Sequence, residues 1–248
     1  MLELKPLLDA AIAAFASGGS AVYAFGLTGW GHLLYWLGWP LVGLFARLMF
    51  RMNRLAHAPM PSGPKILAVN HPSCTDPFLT LLLLRQRVSI MITHKVFQIP
   101  IFGSYLRRAG HICVTPGQGQ RALDQAKALL ERGRTVVIFP EGLISPLEGG
   151  FHRARTGVAR LALSTGAPVI PVGVYLPRER RKTIVSRIEG EDELGQWYLR
   201  GPYLLTIGHA MRFDGDVNDR GRVVSVAQEI MEHIKALAHQ SELRLGRS

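Results

Sequence analysis

The chain has 248 residues, enough for one domain with a sizeable core, or for one domain and a short appendage. Its 48% of hydrophobic residues exclude a disordered chain, and its two cysteines, Cys74 and Cys113, disfavour a disulfide scaffold or a structural zinc site. The formal net charge of +11 indicates an anionic partner, which composition alone leaves open among nucleic acid, an acidic membrane surface and phosphorylated small molecules.

The N-terminal region contains 37 consecutive residues, Ala10 to Ala46, without Lys, Arg, Asp or Glu. One helix of that length would measure about 55 Å, longer than the hydrocarbon thickness of a bilayer. Glycines interrupt the run, so we expect two helices joined by a glycine-rich bend.

Aromatic and basic residues at this run are typical of a segment that meets lipid headgroups. The residues concerned are Trp30, Trp36 and Trp39, followed by Arg47, Arg51 and Arg54. We therefore predict that residues 1–56 form a hydrophobic helical hairpin associated with an anionic membrane surface, on the cytoplasmic face of the cell membrane. A pair of buried core helices is the alternative.

Beyond Pro59, apolar runs alternate with helical patterns, which predicts an α/β fold with a mostly parallel sheet flanked by helices, over residues 57–248. We expect strands at Lys65–Asn70, Val88–Thr93, His111–Val114, Thr135–Phe139, Pro168–Val174 and Tyr203–Gly208. We expect helices at Pro77–Arg85, Ile101–Arg108, Gln120–Arg132, Thr156–Thr165 and Val223–Leu243. The charged stretch from Arg178 to Leu199 is interpreted as a solvated loop face.

The first expected strand of this domain ends in Asn70-His71-Pro72-Ser73-Cys74-Thr75-Asp76. An imidazole can accept a proton from a hydroxyl at neutral pH, and a carboxylate on its other nitrogen fixes its orientation. His71 and Asp76 can meet if His71 lies in the loop and Asp76 opens the following helix. An Asp before a proline is also an ordinary helix cap, and the spacing leaves both interpretations open.

Further motifs follow at intervals. They are Lys95 with Ile99-Pro100-Ile101-Phe102-Gly103, Arg107-Arg108-Ala109-Gly110, Phe139-Pro140-Glu141-Gly142 with Ser145, and Ile170-Pro171-Val172. Together with the His-x4-Asp motif, this ordered set resembles the lysophospholipid acyltransferases, the family of 1-acylglycerol-3-phosphate acyltransferases. The resemblance extends from about Leu67 to Val174 and implies a glycerolipid acyltransferase fold.

The resemblance implies transfer of a fatty acyl group from acyl-CoA or acyl carrier protein to the hydroxyl of a lysophospholipid. It makes His71 the general base and Asp76 its orienting partner, and it places Glu141 and Gly142 at the acceptor site. This chemistry requires no metal and no other cofactor, and it gives the basic surface a lipid partner rather than a nucleic acid.

Two positions depart from the family's usual pattern. Pro116 and Ile144 stand where the family commonly has arginines, one of which binds the acceptor phosphate. Basic residues that can replace them as phosphate ligands are Lys95, Arg108, Arg121, Arg153 and Arg155. The acceptor can therefore be 1-acylglycerol-3-phosphate, another lysolipid, or a lipid whose headgroup lacks the usual phosphate.

Other functions have weaker support. Gly117, Gly119 and Ala122 resemble a dinucleotide-binding turn, which would make the chain an NAD(P)-binding oxidoreductase. Cys74, beside His71, suggests a thiol nucleophile, although a small packing residue is the simpler interpretation. A non-catalytic basic protein bound to a membrane surface is a third alternative.

Overall fold

The computed structural model describes residues 29–188 and 191–246. Its first element is a helix of 21 residues, α1 (Gly29–Met49), with Pro40 in its interior and Arg47 in its last turn. The buried side chains of Tyr35 and Ala46 pack α1 into the protein core. Leucines that recur every three or four residues line another face of α1 and are exposed: Leu33, Leu37, Leu41, Leu44 and Leu48.

The helix α1 coincides with the second of the two helices expected in the charge-free run. The first expected helix lies outside the described residues, so the hairpin stays a prediction. The bend was expected at Gly26, Gly29 and Gly31, of which the last two belong to α1. Among the helices of the described ranges, none combines the length and the apolar content needed to cross a membrane.

The predicted helical segment 1–56 was wrong in its last seven residues. Phe50–Ala56 form strand β1, which pairs in parallel with β9 (Gly201–Ile207) at the edge of the main sheet. An edge strand tolerates exposed basic residues such as Arg51 and Arg54, because one of its sides faces solvent. The same basic residues are also typical of the flank of a membrane segment. Composition alone therefore did not distinguish an edge strand from such a flank.

The main sheet has seven strands in the order β1-β9-β6-β2-β5-β3-β4. All neighbouring strands are parallel except β6 and β9, so β1 and β9 run opposite to the other five. The remaining five strands are β2 (Lys65–Val69), β3 (Val88–Thr93), β4 (Ile112–Val114), β5 (Thr135–Ile138) and β6 (Val169–Tyr175). The predicted α/β fold with a mostly parallel mixed sheet is confirmed.

Strand β2 is the fourth of the seven strands of the main sheet. Helices cover both faces of this sheet, so β2 is buried on both sides. Ile66 and Ala68 point into one hydrophobic core, and Leu67 and Val69 point into the other. The flanking helices are α2 (Asp76–Thr80), α3 (His94–Phe97), α4 (Phe102–Ala109), α5 (Gly119–Glu131), α6 (Gly157–Thr165) and α7 (Arg220–Leu245). Burial on both faces explains why β2 reads as a continuous apolar run.

The charged stretch interpreted as a loop face is a hairpin of two antiparallel strands, β7 (Arg181–Ile188) and β8 (Glu191–Tyr198). Its strands lack an apolar run because most of β7 faces solvent, and opposite charges such as Arg187 and Asp192 lie across from each other. The loop interpretation was therefore wrong, and the hairpin supplies contacts to the site described next.

Candidate active site at the carboxyl end of β2

The loop that follows β2 is fixed to the neighbouring strand β6 by Asn70. The Asn70 Nδ2 donates to the carbonyl oxygen of Val174 at 2.9 Å, and its Oδ1 accepts from the Val174 main-chain N–H at 2.7 Å. Asn70 is buried, so this pair of hydrogen bonds is shielded from water. The loop therefore begins at a rigid point, next to the carboxyl ends of two parallel strands.

His71 and Asp76 meet across this loop. The distance between His71 Nδ1 and Asp76 Oδ2 is 2.9 Å, and Asp76 is completely buried. The Asp76 Oδ2 also accepts the main-chain N–H of Ser73 at 2.7 Å, while the helix-capping position falls to Thr75, whose side chain makes no capping bond. Of the two roles that the spacing left open for Asp76, the structure supports contact with His71.

The second ring nitrogen of His71, Nε2, lies on the far side of the ring from Asp76. The ring stacks on Phe139 with a centroid distance of 4.3 Å and an angle of 24° between the planes. The His71 side chain keeps 17% of its surface exposed. If Nδ1 donates its proton to the carboxylate, Nε2 is an acceptor that a molecule entering from solvent can reach.

Glu141 follows β5 and connects the histidine loop to the loop after Phe139. Its Oε1 accepts from the His71 main-chain N–H at 3.1 Å and from Ser145 Oγ at 2.7 Å, and its Oε2 accepts from the His152 main-chain N–H at 2.8 Å. Only 1% of Glu141 is exposed. Its carboxylate therefore holds three segments of protein together beside the histidine.

Arg155 is a predicted binding residue that is fixed to the loop carrying Glu141. Its main-chain N–H donates to the Pro140 carbonyl oxygen at 2.8 Å. Gly142 has a positive φ of 66°, and a Cβ there would approach Arg155 Nε to 2.4 Å. The glycine therefore lets the Arg155 side chain lie directly against the loop that carries Glu141.

The other predicted binding residues lie on separate elements. Lys95, on α3, forms an ion pair with Glu193 of strand β8. Arg108 lies in the last turn of α4, and Arg121 is exposed in the first turn of α5. Two strands, β5 and β3, separate β2 from β4, the strand that precedes α5. The structure thus brings His71, Asp76, Glu141, Gly142 and Arg155 together, and substrate binding by Lys95, Arg108 and Arg121 stays a prediction.

Sequence reasoning missed the residues of the hairpin and of β9 that touch this loop. The carbonyl oxygen of Gln196, on β8, accepts from the Cys74 main-chain N–H at 2.7 Å and from Ser73 Oγ at 3.1 Å. Tyr203, on β9, donates its hydroxyl to Asp76 Oδ1 at 2.8 Å. More than 120 residues separate these partners, and no motif marks them.

Cys74 is a poor nucleophile in this environment. Burial raises the pKa of its thiol to about 11, in spite of the hydrogen bond with Gln196. At neutral pH the side chain is therefore a thiol and not the reactive thiolate. The structure favours the packing interpretation of Cys74.

The dinucleotide-binding alternative fails on topology. Its strand, β4, and the strand that follows α5, β5, are not neighbours, because β3 lies between them. Glu141 ends the next strand, 22 residues after Gly119, where a dinucleotide-binding unit has the acidic residue that binds the ribose, and it is buried and engaged by protein donors. Gly117 therefore lies in an ordinary turn, and Gly119 is the first residue of α5.

A family model described as Acyltransferase matches residues 51–175, half of the chain. A lyso-ornithine lipid O-acyltransferase of Pseudomonas aeruginosa is 31% identical over 161 residues, which cover 63% of this chain and 59% of that protein. A 1-acyl-sn-glycerol-3-phosphate acyltransferase of the same organism is 26% identical over 166 residues, covering 64% and 62%. A chloroplastic enzyme of that name from Arabidopsis thaliana is 26% identical over 137 residues, covering 54% and 38%. The chain matches less than two thirds of the length of each of these relatives.

The fold also resembles a solved structure, the 1-acyl-sn-glycerophosphate (LPA) acyltransferase PlsC from Thermotoga maritima. The TM-score is 0.59, the sequence identity is 18%, and the match covers 93% of this chain and 89% of the other. At this identity the likeness concerns the fold.

Proposed function

Because the chain belongs to the Acyltransferase family, as its motifs predicted, we propose that it transfers a fatty acyl group from a thioester to the free hydroxyl of a lysolipid. The thioester is that of acyl-CoA or acyl carrier protein. The observation that carries this proposal is the contact of 2.9 Å between His71 and the buried Asp76, with Nε2 of the ring directed away from the carboxylate. A base held in this way can activate an alcohol without a covalent enzyme intermediate.

The acyl transfer has two steps at this site. His71 Nε2 takes the proton of the acceptor hydroxyl while the hydroxyl oxygen attacks the thioester carbonyl, and Asp76 stabilises the imidazolium that forms. The tetrahedral intermediate then collapses, the carbon–sulfur bond breaks, and the imidazolium proton goes to the departing sulfur. The products are the acylated lipid and the free thiol.

Arg155 is our candidate for binding the acceptor headgroup. It is exposed, it lies against Gly142, and its main chain is fixed next to Glu141. A guanidinium can grip a phosphate or a carboxylate with two hydrogen bonds. Pro116 and Ile144 replace two arginines of the usual motif, so a phosphate headgroup and a headgroup with a carboxylate are both candidates. The similarity to a lyso-ornithine lipid O-acyltransferase adds to the case for testing the second.

Membrane association is the part of the proposal that α1 supports. Its exposed leucines form an apolar face, and Arg51 and Arg54 follow as exposed basic residues on β1. An apolar helix face lying in the interface, with cations near anionic headgroups, suits an enzyme whose substrates stay in lipid. The cytoplasmic leaflet is the proposed location.

The experiment that tests this function measures release of free thiol from acyl-CoA and from acyl carrier protein, with a panel of lysolipids. The panel includes 1-acylglycerol-3-phosphate and lyso-ornithine lipid. We expect acceptor-dependent thiol release that falls by about a hundredfold to ten-thousandfold in His71→Ala. His239→Ala, an exposed histidine on α7, is the matched control and keeps full activity.

Two results would contradict the proposal. Thiol release at the wild-type rate in His71→Ala would show that His71 is not the general base. Vesicle binding without thiol release for every donor and acceptor would favour a non-catalytic membrane-surface protein.

A further inference from the structure

The carboxylate of Asp76 is held by three donors, and one of them comes from the far end of the sequence. Oδ2 contacts His71 Nδ1 at 2.9 Å and the Ser73 main-chain N–H at 2.7 Å. Oδ1 accepts the hydroxyl of Tyr203 at 2.8 Å. The side-chain oxygen that does not face the histidine is thus engaged by a phenol.

Tyr203 is fixed in place by the core and not by the loop that it contacts. It is completely buried on β9, opposite Met52 of β1. Its ring meets that of Phe50 edge-on at a centroid distance of 6.0 Å. Burial and the nearby charge of Asp76 raise the pKa of Tyr203 well above its usual range, so the hydroxyl stays protonated and can donate. Tyr203 also lies outside residues 51–175, which the family model matches.

We propose that Tyr203 is a positioning residue for acyl transfer, which acts on His71 through Asp76. The phenol holds the carboxylate plane so that Oδ2 faces the imidazole, and it draws negative charge toward Oδ1. Both effects follow from a strong hydrogen bond to an anion between two fully buried side chains. This inference rests on the proposed function, because it assigns a role in the reaction of His71.

Three other ionisable groups lie near Asp76 and His71. Arg181, on β7, donates to the Pro72 carbonyl oxygen at 3.2 Å and interacts electrostatically with Asp76. Glu141 contacts the main chain of His71, and Cys74 is held as a thiol. Tyr203→Phe removes none of these three groups.

The first test replaces Tyr203 by Phe, which removes the hydroxyl and keeps the ring. In the thiol-release assay we expect kcat to fall by about tenfold to a hundredfold, while KM for donor and acceptor stays within about twofold. We also expect the acid limb of the pH profile to move to higher pH, because Asp76 keeps more negative charge and favours the imidazolium. In an Asp76→Asn background, Tyr203→Phe has no further effect on kcat.

Tyr198→Phe is the matched control. Tyr198 is also completely buried, stacks on Phe50 at 5.9 Å, and donates its hydroxyl to the Pro202 carbonyl oxygen at 2.8 Å. The variant removes a tyrosine hydroxyl from the same core and keeps the main-chain contacts of residue 198 with Ser73 and Thr75. We expect a smaller loss of thermal stability than in Tyr203→Phe, because a neutral carbonyl oxygen and not an anion loses its donor, with kcat and the pH profile of the wild type.

A second measurement does not depend on activity. The histidine NMR signal that disappears in His71→Ala reports the pH at which His71 titrates. We expect this pH to rise in Tyr203→Phe and to stay unchanged in Tyr198→Phe. Site-specific 3,5-difluorotyrosine at position 203 keeps the ring and is a stronger hydrogen-bond donor. We therefore expect it to lower the pH at which His71 titrates. This variant replaces Tyr203→Phe in the test if Tyr203→Phe does not fold.

The outcomes separate the two proposals. An unchanged His71 titration in both Tyr203 variants, or a kcat loss in Tyr203→Phe that persists in the Asp76→Asn background, overturns the role of Tyr203. Absence of thiol release from the wild type refutes the proposed function, and the NMR titration still decides whether Tyr203 acts on His71.

Discussion

The main-chain N–H of His71 donates to the Glu141 carboxylate across 70 positions of the sequence, at a distance of 3.1 Å. The same oxygen accepts from Ser145, and the other oxygen accepts from the main chain of His152. The buried Glu141 carboxylate therefore fixes the main chain of the loop that carries the proposed base, His71. This gives Glu141 a structural role in addition to the acceptor-site role that the motif implies.

Glu141→Gln tests that role. The amide keeps one acceptor oxygen but places an NH2 group against protein donors, so we expect a loss of about 2–3 kcal/mol of stability. For a chain of this length, that loss lowers Tm by about 4–12 °C, and kcat falls with it because His71 loses its support. Thermal unfolding and the thiol-release assay measure both effects. A raised acceptor KM with unchanged Tm would instead indicate direct contact with substrate.

Arg155→Ala is expected to raise the acceptor KM about tenfold or more and to leave the donor KM unchanged, since one guanidinium contact to an anion is lost. Arg132→Ala, an exposed arginine at the end of α5, is the control. Initial rates over a range of acceptor concentrations measure the effect.

Gly142→Ala should reproduce the Arg155 defect without removing the charge. Its Cβ would come within 2.4 Å of Arg155 Nε, and the positive φ of 66° adds strain. We therefore expect a raised acceptor KM in Gly142→Ala and no additional effect in the double variant with Arg155→Ala. Additive effects of the two changes would contradict the proposed contact.

Cys74→Ala is expected to keep kcat within about twofold, because the thiol takes no part in the reaction. With its pKa raised to about 11, only about one thiol in a thousand is ionised at pH 8, so alkylation by iodoacetamide should be slow. Mass spectrometry after timed alkylation measures modification of this residue. Fast labelling at pH 7 with loss of activity would revive the nucleophile alternative.

His111 makes stability depend on pH. It is buried and accepts the Ile90 main-chain N–H on Nδ1 at 3.2 Å, and burial together with Arg134 and Arg87 lowers its pKa to about 3. The unfolded chain binds this proton near pH 6.5 and the folded chain does not, so stability falls as pH decreases from about 6.5 to 3. The slope from this residue is about 1.4 kcal/mol per pH unit.

The comparison of wild type with His111→Asn isolates this effect. Asparagine can accept the same N–H and does not titrate. We expect the difference in unfolding free energy between the two proteins to shrink between pH 7 and pH 5. A difference that is constant over this range would contradict the assignment.

The exposed face of α1 predicts where the protein meets lipid. Leu41→Gln with Leu48→Gln should weaken binding to vesicles that contain anionic lipid by about tenfold or more, since each leucine contributes about 1.5–3 kcal/mol when buried. Leu243→Gln, an exposed leucine on α7, is the control with no expected effect. Co-sedimentation measures the binding. Equal binding by all three proteins would locate the lipid contact elsewhere.

Local patterns in the sequence predicted most of the architecture. The apolar runs of β2, β3, β5 and β6 predicted buried strands. A strand covered on both faces is a continuous apolar run, which can be recognised without knowledge of the neighbouring strands. The hairpin β7–β8 and the edge strand β1 escaped prediction for the opposite reason. Their residues face solvent or pair with distant strands, so they lack a local apolar signal.

The sequence alone therefore determined the family, the buried strands of the sheet and the candidates His71, Asp76 and Glu141, because each rests on motifs whose residues are close together along the chain. Only the tertiary structure decided that Asp76 turns toward His71 and does not cap α2, and that Tyr203 and Gln196 hold this loop from more than 120 positions away. The physical reason is that a carboxylate accepts hydrogen bonds from the donors nearest to it in space, whatever their distance along the chain. Those donors meet only after β9 has paired with β6 and the hairpin has packed against the loop that follows β2.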